Sequence, residues 1–343
     1  AEKAKEHHDK ALRILETEPE SVELASLYED MAHMYYRIGD MAKALSWAEK
    51  ALELAKKLNV DEVVASSYAS LGTIFTFTGD VKKARECLER ALKIALDNGY
   101  METALRAYNN LASALPAEET ERRLECLEKG FELAKKVGHV SLQSFIGLIL
   151  AWGYIGMGNM NKALLLAEES VALDRKAGNM THLSSSMDGL GVVYQILGEW
   201  DKSERYHKEA SSISQGLNDW QAIWMNCWSL GLLHLGKEEY VKARELFEKA
   251  CEVSEKAGAK SNQMETAQLL IWAYIELGEI EKANNLIDGL HKFALEIKDK
   301  DLLAAADALR AMLFRAQKKW KESIDHFEKS LQEFETLNAR RWR

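Results

Sequence analysis

Proline is almost missing from this chain, with 2 residues in 343. So few helix breakers, together with abundant Ala, Leu, Glu and Lys, give the residue usage of an all-helical protein. Cysteine is scarce too. The 4 present are never spaced as Cys-x-x-Cys, which excludes a disulfide framework and a paired-thiol metal motif and points to a reducing compartment. Positive charge is in deficit, 45 Lys and Arg against 54 Asp and Glu, so the net charge of −9 excludes the basic footprint that nucleic acid requires. A pI near 5.6 fits a cytoplasmic protein, the localisation expected. One long stretch lacks charge, Val140 to Asn161, but Ser141, Gln143, Ser144, Asn159 and several Gly interrupt it, so no membrane span is expected.

Converging chemical groups are also missing. His7 and His8 are adjacent and point to different faces of a helix, a poor chelating pair. Cys87 and Cys126 have no His partners at hand and read as small buried hydrophobes. His207, His234 and His326 fall at positions that pack helices. No Gly-rich phosphate loop follows a strand. The chain is therefore expected not to be an enzyme, and no cofactor or metal is expected.

What is present is a repeat. Gly39-Asp40, Gly79-Asp80, Gly158-Asn159, Gly198-Glu199 and Gly278-Glu279 recur at a period of 40, and Glu118, Glu238 and Lys318 fill the gaps with one single-residue deletion. We call this the turn site. Five residues later stand Ala44, Ala84, Arg123, Ala163, Ser203, Ala243, Ala283 and Ser323, and twelve later Ala51, Ala91, Gly130, Ser170, Ala210, Ala250, Leu290 and Ser330. Seven residues make two helical turns, so these small side chains share a face that another helix can approach. Twenty after the turn site come Asn59, Gly99, Gly138, Gly178, Asn218, Gly258, Lys298 and Asn338, mostly residues that tolerate the left-handed conformation ending a helix. Four before it, Tyr35, Phe75, Tyr154, Tyr194, His234, Tyr274 and Phe314 supply a ring. Asp40, Asp80, Glu119, Asn159, Glu199, Glu239 and Glu279 are expected to cap the helix that follows.

Each unit reads as a helix, a tight turn, a second helix and a cap. Ala4 and Ala11 occupy the small positions of an earlier second helix, which makes one extra N-terminal helix and eight pairs. No linker divides the chain, so residues 1–343 are expected to form a single solenoid domain. The third unit, with Leu115-Pro116 and Arg123, is the least regular and reads as a kink. Ala1 falls in mid-pattern and Asn338 to Arg343 look like the start of another element, so a longer parent chain is expected.

This pattern resembles the tetratricopeptide repeat family. The residues that carry the resemblance are Leu71-Gly72 with Phe75, Gly79, Ala84 and Ala91, then Leu190-Gly191 with Tyr194, Gly198, Ser203 and Ala210, and Leu230-Gly231. Two features depart from it: the repeat exceeds the usual length of about 34, and the Pro after the second helix is missing. The longer form is similar to that of kinesin light chains, Pins-type scaffolds and the sensor regions of MalT-like and other signal-transduction ATPases.

The resemblance implies a right-handed superhelix whose first helices line a concave groove. Groove positions would lie 13, 10, 6, 3 and 2 before each turn site. In the first unit these are polar, Ser26, Glu29, His33, Tyr36 and Arg37; in the third and fourth they include Leu105, Tyr108, Phe145, Leu148, Trp152 and Ile155. The fifth offers Asp188 and Gln195, the sixth Met225, Trp228, Leu232 and Leu235, the seventh Gln268, Trp272 and Ile275. Trp220, Trp224 and Trp228 form a stripe, spaced by four, that cannot all enter one hairpin core. Two readings stand: the rings bind an apolar or amphipathic partner segment of a protein or peptide, or they pack against adjacent repeats or another domain. The basic clamp that some family members use for a C-terminal carboxylate needs Lys, Arg and Asn at these positions, and here they are mostly Ser, Ala, aromatic or acidic. The expected function is a non-catalytic interaction module, the sensor part of a larger signalling protein, with a constitutive peptide-binding scaffold as the alternative.

Overall fold

Backbone dihedrals alone mark the repeat. The computed structural model describes residues 2–116 and 119–336, with side chains from Glu6 onward. Among these, φ is positive at five non-glycine residues (Asn59, Asn218, Glu238, Lys298, Lys318) and nine glycines, and every one falls on a turn site or a cap site of the repeat. Such a residue turns the chain out of a helix, and the amide just beyond it closes the end by bonding back to the last turn. Examples are Asp80 N to Phe75 O at 3.0 Å and Tyr100 N to Ala95 O at 2.8 Å. The turn expected at Glu118, the cap expected at Asn338 and the Ala4 side chain lie outside the described residues.

These turns delimit 17 α-helices among the described residues, and the chain is an all-α helical-repeat solenoid. It divides into two compact units, residues 1–177 and 178–343. The first holds α1 (Glu2–Leu15), α2 (Val22–Arg37), α3 (Met41–Leu58), α4 (Asp61–Thr78), α5 (Val81–Asn98), α6 (Met101–Ala114), α7 (Thr120–Val137), α8 (Val140–Gly156) and α9 (Met160–Ala177). The second holds α10 (Met180–Ile196), α11 (Trp200–Leu217), α12 (Trp220–Gly236), α13 (Tyr240–Lys256), α14 (Lys260–Glu276), α15 (Ile280–Ile297), α16 (Lys300–Ala316) and α17 (Trp320–Thr336). Even-numbered helices are the first of each pair. In the first unit α2 packs on α4 and α4 on α6; in the second α10, α12, α14 and α16 pack in succession, so first helices form a layer of their own.

Within hairpins the small residues do what their size permits. Ala44, Ala84, Ala163, Ser203, Ala243 and Ala283 are completely buried. A second complementarity lies at the residue seven before the turn site and the one nine after it. A Cβ on Gly72 would stand 2.4 Å from Leu88 Cγ, one on Gly191 2.8 Å from the His207 ring, and one on Gly231 2.5 Å from Phe247. Glycine on the first helix thus makes the slot for a large side chain on the second.

The third hairpin departs from this plan. Pro116 forces Leu115 into an extended conformation (φ −74, ψ 140), and α6 stops at 14 residues. Arg123, in a place that elsewhere takes Ala or Ser, is half-buried and its Nε donates to Ala112 O at 3.1 Å, beside the shortened helix.

The expected caps divide by side-chain length. Asp40, Asp80 and Asn159 accept from the amide three residues on, at 3.1, 3.1 and 3.3 Å. Glu119, Glu199, Glu239 and Glu279 make no such bond. The extra methylene carries Glu119 to Arg85 (2.5 Å) and Glu279 to Arg244 (2.8 Å), each on the preceding second helix. Glu204 of α11 reaches forward to Lys237 at 2.7 Å in the same way. Glu119 and Glu279 therefore staple neighbouring repeats, while Glu199 pairs with Lys202 at 3.4 Å and Glu239 with His234 and Lys242 at 2.5 and 3.1 Å inside their own hairpins, correcting the expectation that the four cap.

Candidate functional site

In the first unit the expected residues gather on α8. Phe145, Leu148, Trp152 and Ile155 follow a 3-4-3 spacing and make one stripe, with Trp152 44% exposed, Phe145 exposed, and Leu148 and Ile155 half-buried. The opposite face of α8 carries Ile146 and Leu150 into the core. Two glycines seat it: a Cβ on Gly153 would lie 2.3 Å from Leu124 of α7, and one on Gly147 2.8 Å from Ser170 Oγ of α9. A buried clasp fixes the hairpin, Ser144 Oγ donating to Asp174 Oδ2 at 2.5 Å while Ser170 Oγ donates to Ser144 O at 3.0 Å. Tyr108 of α6 is half-buried beside Gly130, whereas Leu105, a groove position by register, is buried.

The remaining first helices of this unit are polar. Ser70 Oγ donates to Glu29 Oε1 at 2.8 Å, Arg106 lies 3.5 Å from the same oxygen, and Asn110 Nδ2 donates to Thr73 Oγ1 at 2.8 Å. Glu29 and Arg106 border an open cleft of about 590 Å³ that Ser26, Asp30, Ser66 and Tyr100 also line. Burial and the neighbouring Glu29 push the Asp30 carboxyl above its ordinary range.

In the second unit two expected residues are withdrawn from the surface. Trp224 is 5% exposed: its indole Nε1 donates to Thr266 Oγ1 of α14 at 2.9 Å, and its ring joins Cys227 and Ala250 in a core cluster. Asp188 is likewise 5% exposed, with Oδ1 2.8 Å from His207 Nδ1 and Oδ2 accepting from Ser229 Oγ at 2.8 Å. Both of its oxygens are engaged inside the unit, so neither residue can meet a partner, which corrects the sequence reading. Leu235 and Ile275 are buried as well. Trp272 is 41% exposed, Trp220 and Met225 are exposed, and Gln195, Trp228 and Leu232 are half-buried, Leu232 packing against the core around Ile271. The indole Nε1 of Trp228 is enclosed without a hydrogen-bond partner among the described residues.

Asp188, His207 and Ser229 are three residue types of a hydrolase triad in a geometry that does not serve one. The serine donates to the carboxylate rather than to the imidazole, and His207 is completely buried. Burial raises all four thiols, Cys251 to about 12, so none is poised as a thiolate at neutral pH. Among the described residues no group of three or more His, Cys, Asp and Glu could hold a metal ion, and no helix is long and apolar enough to cross a membrane. What the exposed faces of α8 and α12 offer is aromatic and aliphatic surface with little charge: α8 has no charged side chain, and α12 has no Asp, Glu, Lys or Arg and only the buried His234. On α14, by contrast, Trp272 lies between the exposed Glu265 and Glu276, and its Nε1 donates to Glu276 Oε1 at 3.2 Å.

One recurrent contact escaped the sequence reading. The ring four before the turn site is covered by the Lys four after it: Lys43 over Tyr35 (5.3 Å), Lys83 over Phe75 (5.3 Å), Lys162 over Tyr154 (4.6 Å), Lys202 over Tyr194 (5.2 Å) and Lys282 over Tyr274 (5.3 Å). The eight-residue interval between aromatic and lysine was its available signal.

Two tetratricopeptide repeat family models match the chain, one over residues 1–57 and 23–97 and the other over residues 183–217. Among solved structures, the apo form of the quorum sensor NprR from B. thuringiensis aligns with a TM-score of 0.70 and 14% identity, over 97% of this chain and 94% of that one. A signal transduction ATPase with a tetratricopeptide repeat sensor, from Pyrococcus horikoshii, aligns with a TM-score of 0.65 and 19% identity, over 92% of this chain and 47% of that one. BtubC from P. vanneervenii aligns with a TM-score of 0.54 and 24% identity, over 63% of this chain and 90% of that one. No curated protein sequence matches. At these identities the likeness is one of fold.

Proposed function

We propose that this chain, a repeat protein of tetratricopeptide type, is a non-catalytic interaction module whose first-helix faces bind an uncharged, apolar or amphipathic segment of a protein or peptide. The observation that carries this reading is the exposure of Trp152 on α8, a helix without a charged side chain; Trp272 of α14 is a second exposed ring, set between Glu265 and Glu276. Large aromatic rings in such settings are the usual anchors of binding hot spots, and an uncharged surround penalises a charged partner that would be desolvated there. The register runs unbroken from Gly158 to Gly198, which supports treating residues 1–343 as one array.

The role we infer is regulatory. The fold is shared with a quorum sensor and with an ATPase carrying a tetratricopeptide repeat sensor, an analogy of architecture that supports a sensor. In that role a bound segment shifts the array between two conformations. A constitutive scaffold would bind without the shift.

The test is affinity capture from native lysate with mass spectrometry, comparing wild type with Trp152→Arg/Trp272→Arg at equal helical circular dichroism. The proposal expects a captured protein that the variant loses; equal capture by both overturns it. Hydrogen exchange with the captured segment bound then separates the roles, since a sensor changes protection in helices that do not touch the segment and a scaffold does not.

A further inference from the structure

The polar cleft of the first unit has a ligand's dimensions and an excess of one charge. It holds about 590 Å³, within the range of small-molecule sites, and its walls come from α2, α4 and α6. Four carboxylates border it, Glu29 and Asp30 of α2, Glu62 of α4 and Glu102 of α6, against one cation, Arg106. Arg106 lies 3.5 Å from Glu29 Oε1, the oxygen that Ser70 also serves, so its charge is committed to Glu29. Glu62 and Glu102 make no hydrogen bond or ion pair among the described residues. Asp30 is half-buried, and burial and then Glu29 outweigh the pull of His8 and His33 on its carboxyl, so a cation beside it would relieve a cost already present in the fold.

The helices form without these acids elsewhere. Glu62 and Glu102 stand three residues after a left-handed cap, Asn59 or Gly99, where later first helices carry Ser141, Thr181, Gln221 and Ser261, and Asp301 alone repeats the acid. An independent pointer to a ligand is Thr103, which lines the cleft and is only 9% exposed. Its hydroxyl makes no hydrogen bond among the described residues, and the surface it keeps opens on the cleft. A hydroxyl taken so far out of water is destabilising unless something in the cleft bonds to it.

The placement of charge selects among cations. The carboxylates do not converge, since among the described residues no group of three or more could hold a metal ion. They come instead from three first helices packed in succession, whose axes stand about 8–10 Å apart from one to the next. Between the acids the wall is apolar, with Val22, Val60, Val63 and Met101. The cation that matches carries several charges strung along an aliphatic chain. We propose that this cleft binds a linear aliphatic polyamine, its ammonium groups paired with Asp30, Glu62 and Glu102, its methylenes laid against the valines, and one N–H donated to Thr103 Oγ1. The site is separate from the face around Trp152, and its test does not depend on that reading.

The probe is spermidine, titrated into the full chain by calorimetry at fixed ionic strength. The expected result is saturable binding that Asp30→Asn and the pair Glu62→Gln/Glu102→Gln each weaken by about tenfold, and that Thr103→Val, which keeps the side chain's shape, weakens several-fold. Helical circular dichroism should not change in any of them. Glu132→Gln, which removes an exposed carboxylate of α7 outside the cleft, should bind as the wild type does. Butylamine and Mg²⁺ should each bind at least about tenfold more weakly than spermidine, because neither spans carboxylates on separate helices. No saturable binding, or unchanged binding in Thr103→Val, overturns the proposal. So does an equal loss in Glu132→Gln, which would trace the attraction to the net charge of −9. Mg²⁺ binding as tightly as spermidine would assign the cleft to a metal ion, and a lysine-rich peptide binding far more tightly would assign it to a protein segment; either result also overturns it.

Discussion

The indole Nε1 of Trp224 donates to the hydroxyl of Thr266 at 2.9 Å, tying α12 to α14 across 42 residues. Thr266 is completely buried and passes its own proton to Asn262 O at 2.9 Å, so the three groups form a closed polar chain inside the second unit. Trp224→Phe leaves Thr266 without its donor and a gap beside Cys227. A loss of about 1–2 kcal/mol in urea unfolding is expected, with peptide capture unchanged. Trp272→Ala should do the reverse, weakening capture while stability moves by less than about 0.5 kcal/mol.

Gly231 and Phe247 form a slot and its filler, the virtual Cβ standing 2.5 Å from the ring. Gly231→Ala should cost about 2–3 kcal/mol through forced displacement of a ring that is completely buried. In a Phe247→Ala background the same change should cost less than about 1 kcal/mol, because Ala151 and Ala167 occupy the equivalent pair without conflict. A double-mutant cycle in urea measures the coupling; additive losses would contradict it.

Glu204 is held down to about 2 by hydrogen bonds from Lys208 and then Lys237. The folded value lies below the unfolded one, so its stabilisation is complete above the ordinary carboxylate range and is lost as pH falls toward about 2. Glu204→Gln should therefore cost on the order of 2 kcal/mol at pH 7. The gap between variant and wild type should close as unfolding is measured at successively lower pH. A gap independent of pH would show that the charge of Glu204, and with it the pairs to Lys208 and Lys237, contributes nothing.

Glu238 holds φ +60 at a turn site where Gly39, Gly79, Gly158, Gly198 and Gly278 are the rule. An L side chain there costs more than glycine, so Glu238→Gly should stabilise by about 0.5–1 kcal/mol, read as a rise in melting temperature.

Much of this was legible in the residues. Turn and cap sites follow from Gly, Asn and a fixed period, because a left-handed residue has few chemical solutions and its place recurs. The small positions were legible for the same reason, size being visible in a single letter. The site was less so. Periodicity puts Trp220, Trp224 and Trp228 within one sector of α12 but does not say which edge of that sector α14 covers, and Trp224 lies under it. Asp188 sits at a groove register, yet its His207 partner is 19 residues away on the next helix; Asp307 and His326 repeat that interval at 2.9 Å, a signal visible only once the pairing is known. Glutamates after the turn looked like caps because acid type was considered without side-chain length.

The central claim is that the uncharged face of α8 around Trp152 selects an uncharged, apolar segment. Its most direct test is selection from a displayed random-peptide library against the whole chain, followed by sequencing of the enriched peptides. The account predicts enrichment of apolar and aromatic residues with depletion of Asp, Glu, Lys and Arg, and loss of the selected peptides' binding in Trp152→Arg/Trp272→Arg. Enriched peptides that are highly charged, or that bind the variant as well as the wild type, would contradict it.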